Sequence, residues 1–254
     1  MVSELRISVI TVCYNAERTI EKAIRSLCSQ IYSNIEYIII DGNSTDKTIE
    51  IVNKYSSKIS RIISEKDEGI FDAMNKGLSL SSGDIIYFLN ADDYFYDDFV
   101  LADVARVFVE DDSRYLVFGN VVLEGGQAFK VGLAKPFKTR SISEFLHNSF
   151  CHQAYFVRRA FFSEIGFFDC RYKYAADYVW VVKAFKSKPQ SFFFLNRNIA
   201  YYFYNGCSRQ NVKVASQEAR NALLVHFFSL ELLWFLFRYR LIRNLKKFIL
   251  KEPN

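Results

Sequence analysis

Proline and glycine are scarce in this chain, at 3 and 10 among 254 residues. That composition excludes collagen-like repeats and Gly- or Pro-rich linkers between loosely tethered domains. Cysteine is also thin and poorly spaced. The five, at positions 13, 28, 151, 170 and 207, are odd in number and contain no CxxC pair. With no disulfide framework and no zinc spacing, reduced thiols in a cytosolic setting are expected. The opening MVSELRISVI lacks the basic segment, long apolar core and cleavage site of a signal peptide. No uninterrupted apolar run reaches bilayer-spanning length. The net charge of +5 is modest, and no nucleic-acid partner is expected. What the chain has in quantity is apolar bulk: half its residues are hydrophobic, with 25 Phe and 16 Tyr. Most of those rings belong to a core.

The first half reads as alternating strands and helices. RISVITVCYN, IEYIIIDG, RIISEKDEG and DIIYFLN are apolar runs that stop abruptly at polar residues. Between them, AERTIEKAIRSLCSQ puts Ile20, Ala23, Ile24 and Leu27 on one helical face. STDKTIEIVNKYSS opens on the helix-start residues Ser44, Thr45 and Asp46. IFDAMNKGLSLSSG is a third helix, closed by glycine. Continuous rather than alternating apolar strands argue for a mostly parallel sheet covered on both faces. Such sheets bind ligands outside the carboxyl ends of their strands. Asn15, Asp41, Glu65 to Asp67, and Asp92 with Asp93 all follow strands directly, so these groups should meet on one edge.

Beyond Asp93 the pattern loosens. DDFVLADVARVFVED is expected to be a helix, and YLVFGNVVLEGGQAFKVG a hairpin turning at Gly125 and Gly126. Residues 136–150 are ambiguous. CHQAYFVRRAFFSEIG reads as a strand entering a helix, YAADYVWVVKAFKS as a helix with Asp177 near its start, and SFFFLNRNIAYYFYNGCS as an aromatic strand and loop. From Gln217 onward the chain looks helical.

The loop after the first strand narrows the chemistry. TVCYNAERT holds no glycine, so neither a dinucleotide fingerprint nor a P-loop is present. The glycine-rich phosphate loop usual in sugar nucleotidyltransferases is missing too. A diphosphate must then be neutralised by other means. The pair in YFLNADDYF suggests one: Mn²⁺ or Mg²⁺ prefers carboxylate oxygens and would offset the repulsion between Asp92 and Asp93.

TVCYNAERTI, IIIDGNSTDKT, EKDEGIFDAMNKG, SSGDIIYFLNADDYF, CHQAYFVRR and AADYVWVVK together resemble the inverting, family 2 glycosyltransferases of GT-A fold. The resemblance spans roughly residues 5–210 and is strongest towards bacterial enzymes of O-antigen and surface-polysaccharide assembly. It implies a Rossmann-like α/β domain over 1–215, with a nucleotide-sugar half at 1–97 and an acceptor half at 98–215. A basic, amphipathic helical extension would follow at 216–254. It implies that Thr11, Tyr14, Asn15 and Asp41 form the uracil-binding part of a UDP pocket, completed by Asp67. The metal-binding D-x-D position aligns with Asn90-Ala91-Asp92, so this chain departs from the motif at Asn90. The metal is then expected on Asp92 and Asp93, with Asn90 facing the ribose. Asp177 aligns with the catalytic base, although Ala176 replaces the usual preceding glutamate. Lys76, His152, Gln153 and Trp180 are possible donor or acceptor contacts, a solvated helix face being the favoured alternative for Lys76.

Ala222 to Lys251 changes character. Its apolar stretch meets Arg238, Arg240, Arg243, Lys246 and Lys247, which suits a helix lying on an anionic membrane surface or one packed on the domain. Peripheral attachment to the inner face of the cytoplasmic membrane would suit a lipid-linked acceptor. The resemblance accordingly implies transfer of glucose or galactose from UDP to an N-acetylhexosamine on undecaprenyl diphosphate, with β1,3 as the expected linkage. Transfer of GlcNAc, GalNAc or a GDP-linked sugar, a sugar nucleotidyltransferase, and a non-catalytic nucleotide-sugar binder are the alternatives.

Overall fold

The computed structural model describes residues 5–124, 151–203 and 211–226, together with Lys138, Ser141 and Phe145. The Gly125–Gly126 turn, Cys207 and the basic cluster from Arg238 onward lie outside the described residues.

The nucleotide-side half alternates as expected. Strand β1 (Ile7–Cys13) is followed by α1 (Ile20–Cys28), β2 (Ile35–Asp41), α2 (Thr48–Asn53), β3 (Arg61–Ser64), α3 (Ile70–Leu80) and β4 (Ile85–Phe88). A two-residue strand, β5 (Tyr94–Phe95), and α4 (Val100–Glu110) come next. The second half holds β6 (Leu116–Glu124), β7 (Tyr155–Arg158), α5 (Arg159–Ile165), α6 (Ala176–Ser187), β8 (Phe192–Phe203) and α7 (Val212–His226).

The eight described strands form one sheet in the order β3-β2-β1-β4-β7-β6-β8-β5. The pairs β3–β2, β2–β1 and β1–β4 are parallel. The second half is mixed: β7 runs antiparallel to β4 and to β6, β8 is parallel to β6, and β5 is antiparallel to β8. The first arm of the expected hairpin is β6, and its described partners are β7 and β8.

The sheet is buried on both faces, which explains its continuous apolar runs. Residues of alternate parity point to opposite sides. Ile10, Ile38, Ile40 and Phe88 pack under α3 and α6, with Met74, Leu78 and Trp180. Ile7, Val9, Tyr37, Ile39 and Tyr87 pack under α1 and α4, with Ile24, Leu27 and Phe108. The four residues expected on the inner face of α1 are all buried there.

Register aligns the strand ends that matter. Cys13 pairs with Asp41, and Asp41 with Ser64, so the three parallel strands finish flush. Helix α2 starts later than Ser44 to Asp46 suggest, because those side chains are spent on the loop. Asp46 accepts hydrogen bonds from the backbone N–H of Thr48 (2.9 Å) and of Glu17 (3.1 Å). Helix α7 starts at Val212, five residues before the helical pattern is evident, since Ala222 and Leu223 of the same helix are anchored in the core. The expected boundary between 215 and 216 therefore falls inside one continuous helix. Among the described residues, no helix is long and apolar enough to cross a membrane.

Candidate active site

A cavity of about 660 Å³ opens at the carboxyl edge of the sheet. The loop after β1 (Tyr14, Asn15), the loop after β4 (Asn90 to Asp92), the segment before β7 (His152, Gln153) and the start of α6 (Asp177) all line it. So do Tyr202 of β8 and Ala215, Ser216 and Ala219 of α7. Polar groups expected from four separate motifs thus meet at one place, while Thr11, Asp41, Asp67, Lys76, Asp93 and Trp180 are not among the lining residues.

The nucleotide side is organised around Asp41 and Asp67, in different ways. Asp41 is fully buried. Its Oδ2 accepts from the Ser44 backbone N–H (2.9 Å) and the Ser64 hydroxyl (2.7 Å). Its Oδ1 accepts from the Ser44 hydroxyl and the Cys13 thiol. Those four donors fill the lone-pair sites of a carboxylate. Asp41 therefore holds the loop and has no acceptor left for a base. Thr11 is likewise fully buried, its hydroxyl 3.1 Å from that of Tyr37. Both residues differ from the expected uracil contacts for the same reason: each is fully buried, with its polar atoms taken up by neighbouring side chains and loop groups.

Asp67 has the free capacity that Asp41 lacks. Its Oδ1 accepts from the Gly69 N–H (2.9 Å). Its Oδ2 lies 2.6 Å from the point that a Cβ on Gly42 would occupy, and the Tyr14 ring lies 3.4 Å from that same point. Only a residue without a side chain allows that approach. Tyr14 is 64% exposed, so a flat apolar face stands beside an available carboxylate oxygen. Gly42 is the close-approach position that motif reading passed over. Its signal was a glycine where the loop needs room for Asp67.

Asn15 lines the cavity and also fastens it. It adopts a left-handed backbone (φ 48°), accepts from the Thr45 N–H through Oδ1 (2.9 Å) and donates its own N–H to Ser44 Oγ (2.8 Å). Asn and Asp tolerate that conformation better than most residues. Lys76 lies off the cavity, paired with Glu65 (3.0 Å) and Asp72 (3.3 Å) and donating to the Lys66 carbonyl (3.2 Å). It ties down the loop that carries Asp67.

The two adjacent aspartates part company. Asp92 lines the cavity. Asp93 turns inward, 1% exposed, and its Oδ1 accepts from the Phe203 backbone N–H (2.9 Å), stitching the β4–β5 loop to the end of β8. Burial pushes the Asp92 carboxyl above its usual range. Burial, then repulsion from Asp92, pushes Asp93 up to about 7. Two buried oxygens nearby, Asn90 Oδ1 and Asp93 Oδ2, have no hydrogen-bond partner. Orphaned oxygens beside a destabilised carboxylate are what a hard divalent cation would satisfy, so the residues present fit one. Among the described residues no three His, Cys, Asp or Glu side chains form a complete ligand shell. Asp92 would be the chief protein ligand, and a substrate diphosphate would have to supply the balance.

From the β4 loop to the start of α6, Asn90, His152 and Asp177 form a chain. His152 Nδ1 lies 2.9 Å from Asp177 Oδ2, and Asn90 Nδ2 lies 3.0 Å from His152 Nε2. Both contacts fit a neutral imidazole that donates from Nδ1 and accepts at Nε2. Burial pulls the His152 pKa down, but Asp177, Asp93 and Asp92 outweigh it and the net shift is upward. Asn90, expected against a ribose, is therefore also the partner of His152. Gln153 is nearly buried, its Oε1 accepting from the Cys151 thiol (2.6 Å). Trp180 is not a ligand contact. It is 2% exposed, donates to the Gly166 carbonyl (2.7 Å) and stacks on Phe162 (4.4 Å between centroids). One turn beyond Asp177, it falls on the core face of α6.

The chain as a whole is similar to known proteins. The family described as Glycosyl transferase family 2 matches residues 8–166. A PGL/p-HBAD biosynthesis glycosyltransferase of Mycobacterium tuberculosis is 32% identical over 188 residues, covering 71% of this chain and 70% of that protein. Staphylococcus aureus TarS, crystallised with UDP, superposes with a TM-score of 0.75 at 22% identity, covering 98% of this chain and 76% of that one. Glucosyl-3-phosphoglycerate synthase from M. tuberculosis, crystallised with Mn²⁺, UDP and glucosyl-3-phosphoglycerate, gives 0.65 at 18% identity, covering 87% of this chain and 80% of that one. The structural likeness identifies the fold as GT-A.

Proposed function

The chain belongs to glycosyl transferase family 2, and from that premise we propose that it moves a hexose from a UDP-sugar to an acceptor hydroxyl with inversion at the anomeric carbon. One observation carries the reading. Asp92 and Asp177 line the same cavity, which Tyr14 also borders. That gives one carboxylate for the diphosphate end and one for the acceptor end.

The nucleoside would lie against Tyr14, with its base N–H donating to Asp67 Oδ2. Mn²⁺ or Mg²⁺ bound at Asp92 would supply positive charge against the departing diphosphate. Structures of two relatives of this fold contain UDP, one of them with Mn²⁺ as well, which supports both assignments. Asp177 would take the proton from the attacking hydroxyl. His152 holds Asp177 through one oxygen, which leaves the other for that proton. A single base and no covalent intermediate lead to inversion, so an α-linked UDP-sugar would yield a β-glycoside.

The finer proposal is glucose or galactose as the sugar and an N-acetylhexosamine on undecaprenyl diphosphate as the acceptor, joined β1,3. It includes peripheral attachment to the cytoplasmic membrane face through the C-terminal segment. The relative named for PGL/p-HBAD biosynthesis supports a biosynthetic setting. The test offers a panel of UDP-sugars with synthetic lipid-diphosphate acceptors and reads the product linkage by NMR. Exhaustive EDTA should abolish transfer, and Mn²⁺ or Mg²⁺ should restore it. Transfer that survives chelation overturns the metal assignment, and failure of the full chain to float with anionic liposomes at low salt overturns the membrane one.

A further inference from the structure

Helix α6 (Ala176–Ser187) starts badly on its own account. Its N-cap residue is Ala175, which has no side-chain oxygen to offer the first free N–H groups, and no side-chain cap bond is present. The tripeptide before the helix finds its acceptor elsewhere. Glu218 of α7 (Val212–His226) receives the backbone N–H of Lys173 at Oε1 (2.9 Å) and those of Tyr174 (2.9 Å) and Ala175 (3.0 Å) at Oε2. One carboxylate thus binds three consecutive N–H groups, 43 to 45 residues away in sequence. Such bonds to an ionised acceptor are the strong ones. Ala175 is held at both ends, because its carbonyl accepts the Val179 N–H (2.9 Å) that begins the helical ladder.

The position of this clamp decides its consequence. Asp177 is two residues beyond Ala175, in the first turn of α6, and reaches His152 from there. Ala215, Ser216 and Ala219, on the same helix as Glu218, line the cavity. Leu223, one turn further along, is buried in the core with Trp180, Val181 and Phe185 of α6. Both Asp177 and Glu218 lie beyond residues 8–166, the span matched by the family.

We infer that Glu218 is a positioning residue for Asp177: by gripping residues 173–175 from α7, it sets where the base stands in the cavity. Helix α7 is then part of the catalytic apparatus and not an appendage to it. The inference rests on the reading of Asp177 as base, and the experiment separates the two.

The full chain, labelled with ¹⁵N-histidine, contains three histidines (His147, His152 and His226), so the His152 ring signal can be assigned. Asp177→Ala defines that signal when its hydrogen bond is lost. Glu218→Ala should move the His152 signal towards that reference. Glu218→Gln, which keeps one acceptor oxygen, should move it part of the way. UDP affinity should stay at the wild-type value in both, which also reports folding. On whichever sugar of the panel turns over, Glu218→Ala should lower kcat about 100-fold, the effect of a displacement near 1 Å, with KM for the UDP-sugar unchanged. An unmoved His152 signal in both Glu218 variants overturns the clamp. So does a loss confined to KM. Because the NMR comparison needs no substrate, a chain inactive on every sugar would sink the functional reading and still leave the clamp decided.

Discussion

Residues 7–95 deliver site groups at strand ends, in chain order and on parallel neighbours: Tyr14 and Asn15 after β1, Gly42 after β2, Asp67 after β3, Asn90 and Asp92 after β4. Residues 116–226 deliver theirs from whatever element happens to arrive: a turn before β7 for His152, a helix start for Asp177, a strand end for Tyr202, a helix face for Ser216. The first wall follows from the geometry of a parallel sheet, whose carboxyl ends face one way. The second has no such rule, because its strands run in both directions. It depends on long-range fastenings instead, such as Asp93 to Phe203 and Glu218 to residues 173–175.

If that division is right, variants on the two sides should fail differently. The largest effect should come from Asp177→Asn, with kcat lowered about 10³-fold, as for loss of a general base, and UDP affinity unchanged by calorimetry. A matching fall in UDP affinity would break the separation between the walls. Trp180→Ala should come next, lowering stability by about 3–5 kcal/mol in urea unfolding without altering the UDP dissociation constant, since the indole is a core piece. Any selective rise in that constant would return Trp180 to the ligand side. Gly42→Ala should weaken UDP binding about 10-fold by displacing the Asp67 carboxylate, while leaving the thermal midpoint nearly untouched. Full UDP affinity in that variant would remove Asp67 from the base-reading role. The smallest effect belongs to Thr11→Val, a loss of about 1 kcal/mol in stability from the orphaned Tyr37 hydroxyl, with UDP binding preserved. Weakened binding there would place Thr11 back at the nucleotide.

Legibility followed the same line. The alternation of the first half, the inner face of α1 and the convergence at the carboxyl edge could all be read directly, because period and strand-end polarity are local properties. The position of Asp92 at a strand end could be read, and it lines the same cavity as Asp177. The exact occupants of each role could not. Asp41 and Asp67 look equally available in a string of letters. Only the packing shows that Ser44, Ser64 and Cys13 exhaust the first, and that the empty space at Gly42 frees the second. Asp92 and Asp93 look interchangeable, yet one lines the cavity and the other is tied to Phe203.

Sequence by itself determined the α/β fold class and the edge of the sheet at which its polar residues gather. These rest on hydrophobic period and on residue type, which each segment carries with it. The tertiary structure alone decided which carboxylates are free, which are consumed, and that α7 closes the cavity and grips the start of α6. Those are matters of hydrogen-bond saturation and close packing between residues tens of positions apart, and no local pattern records them.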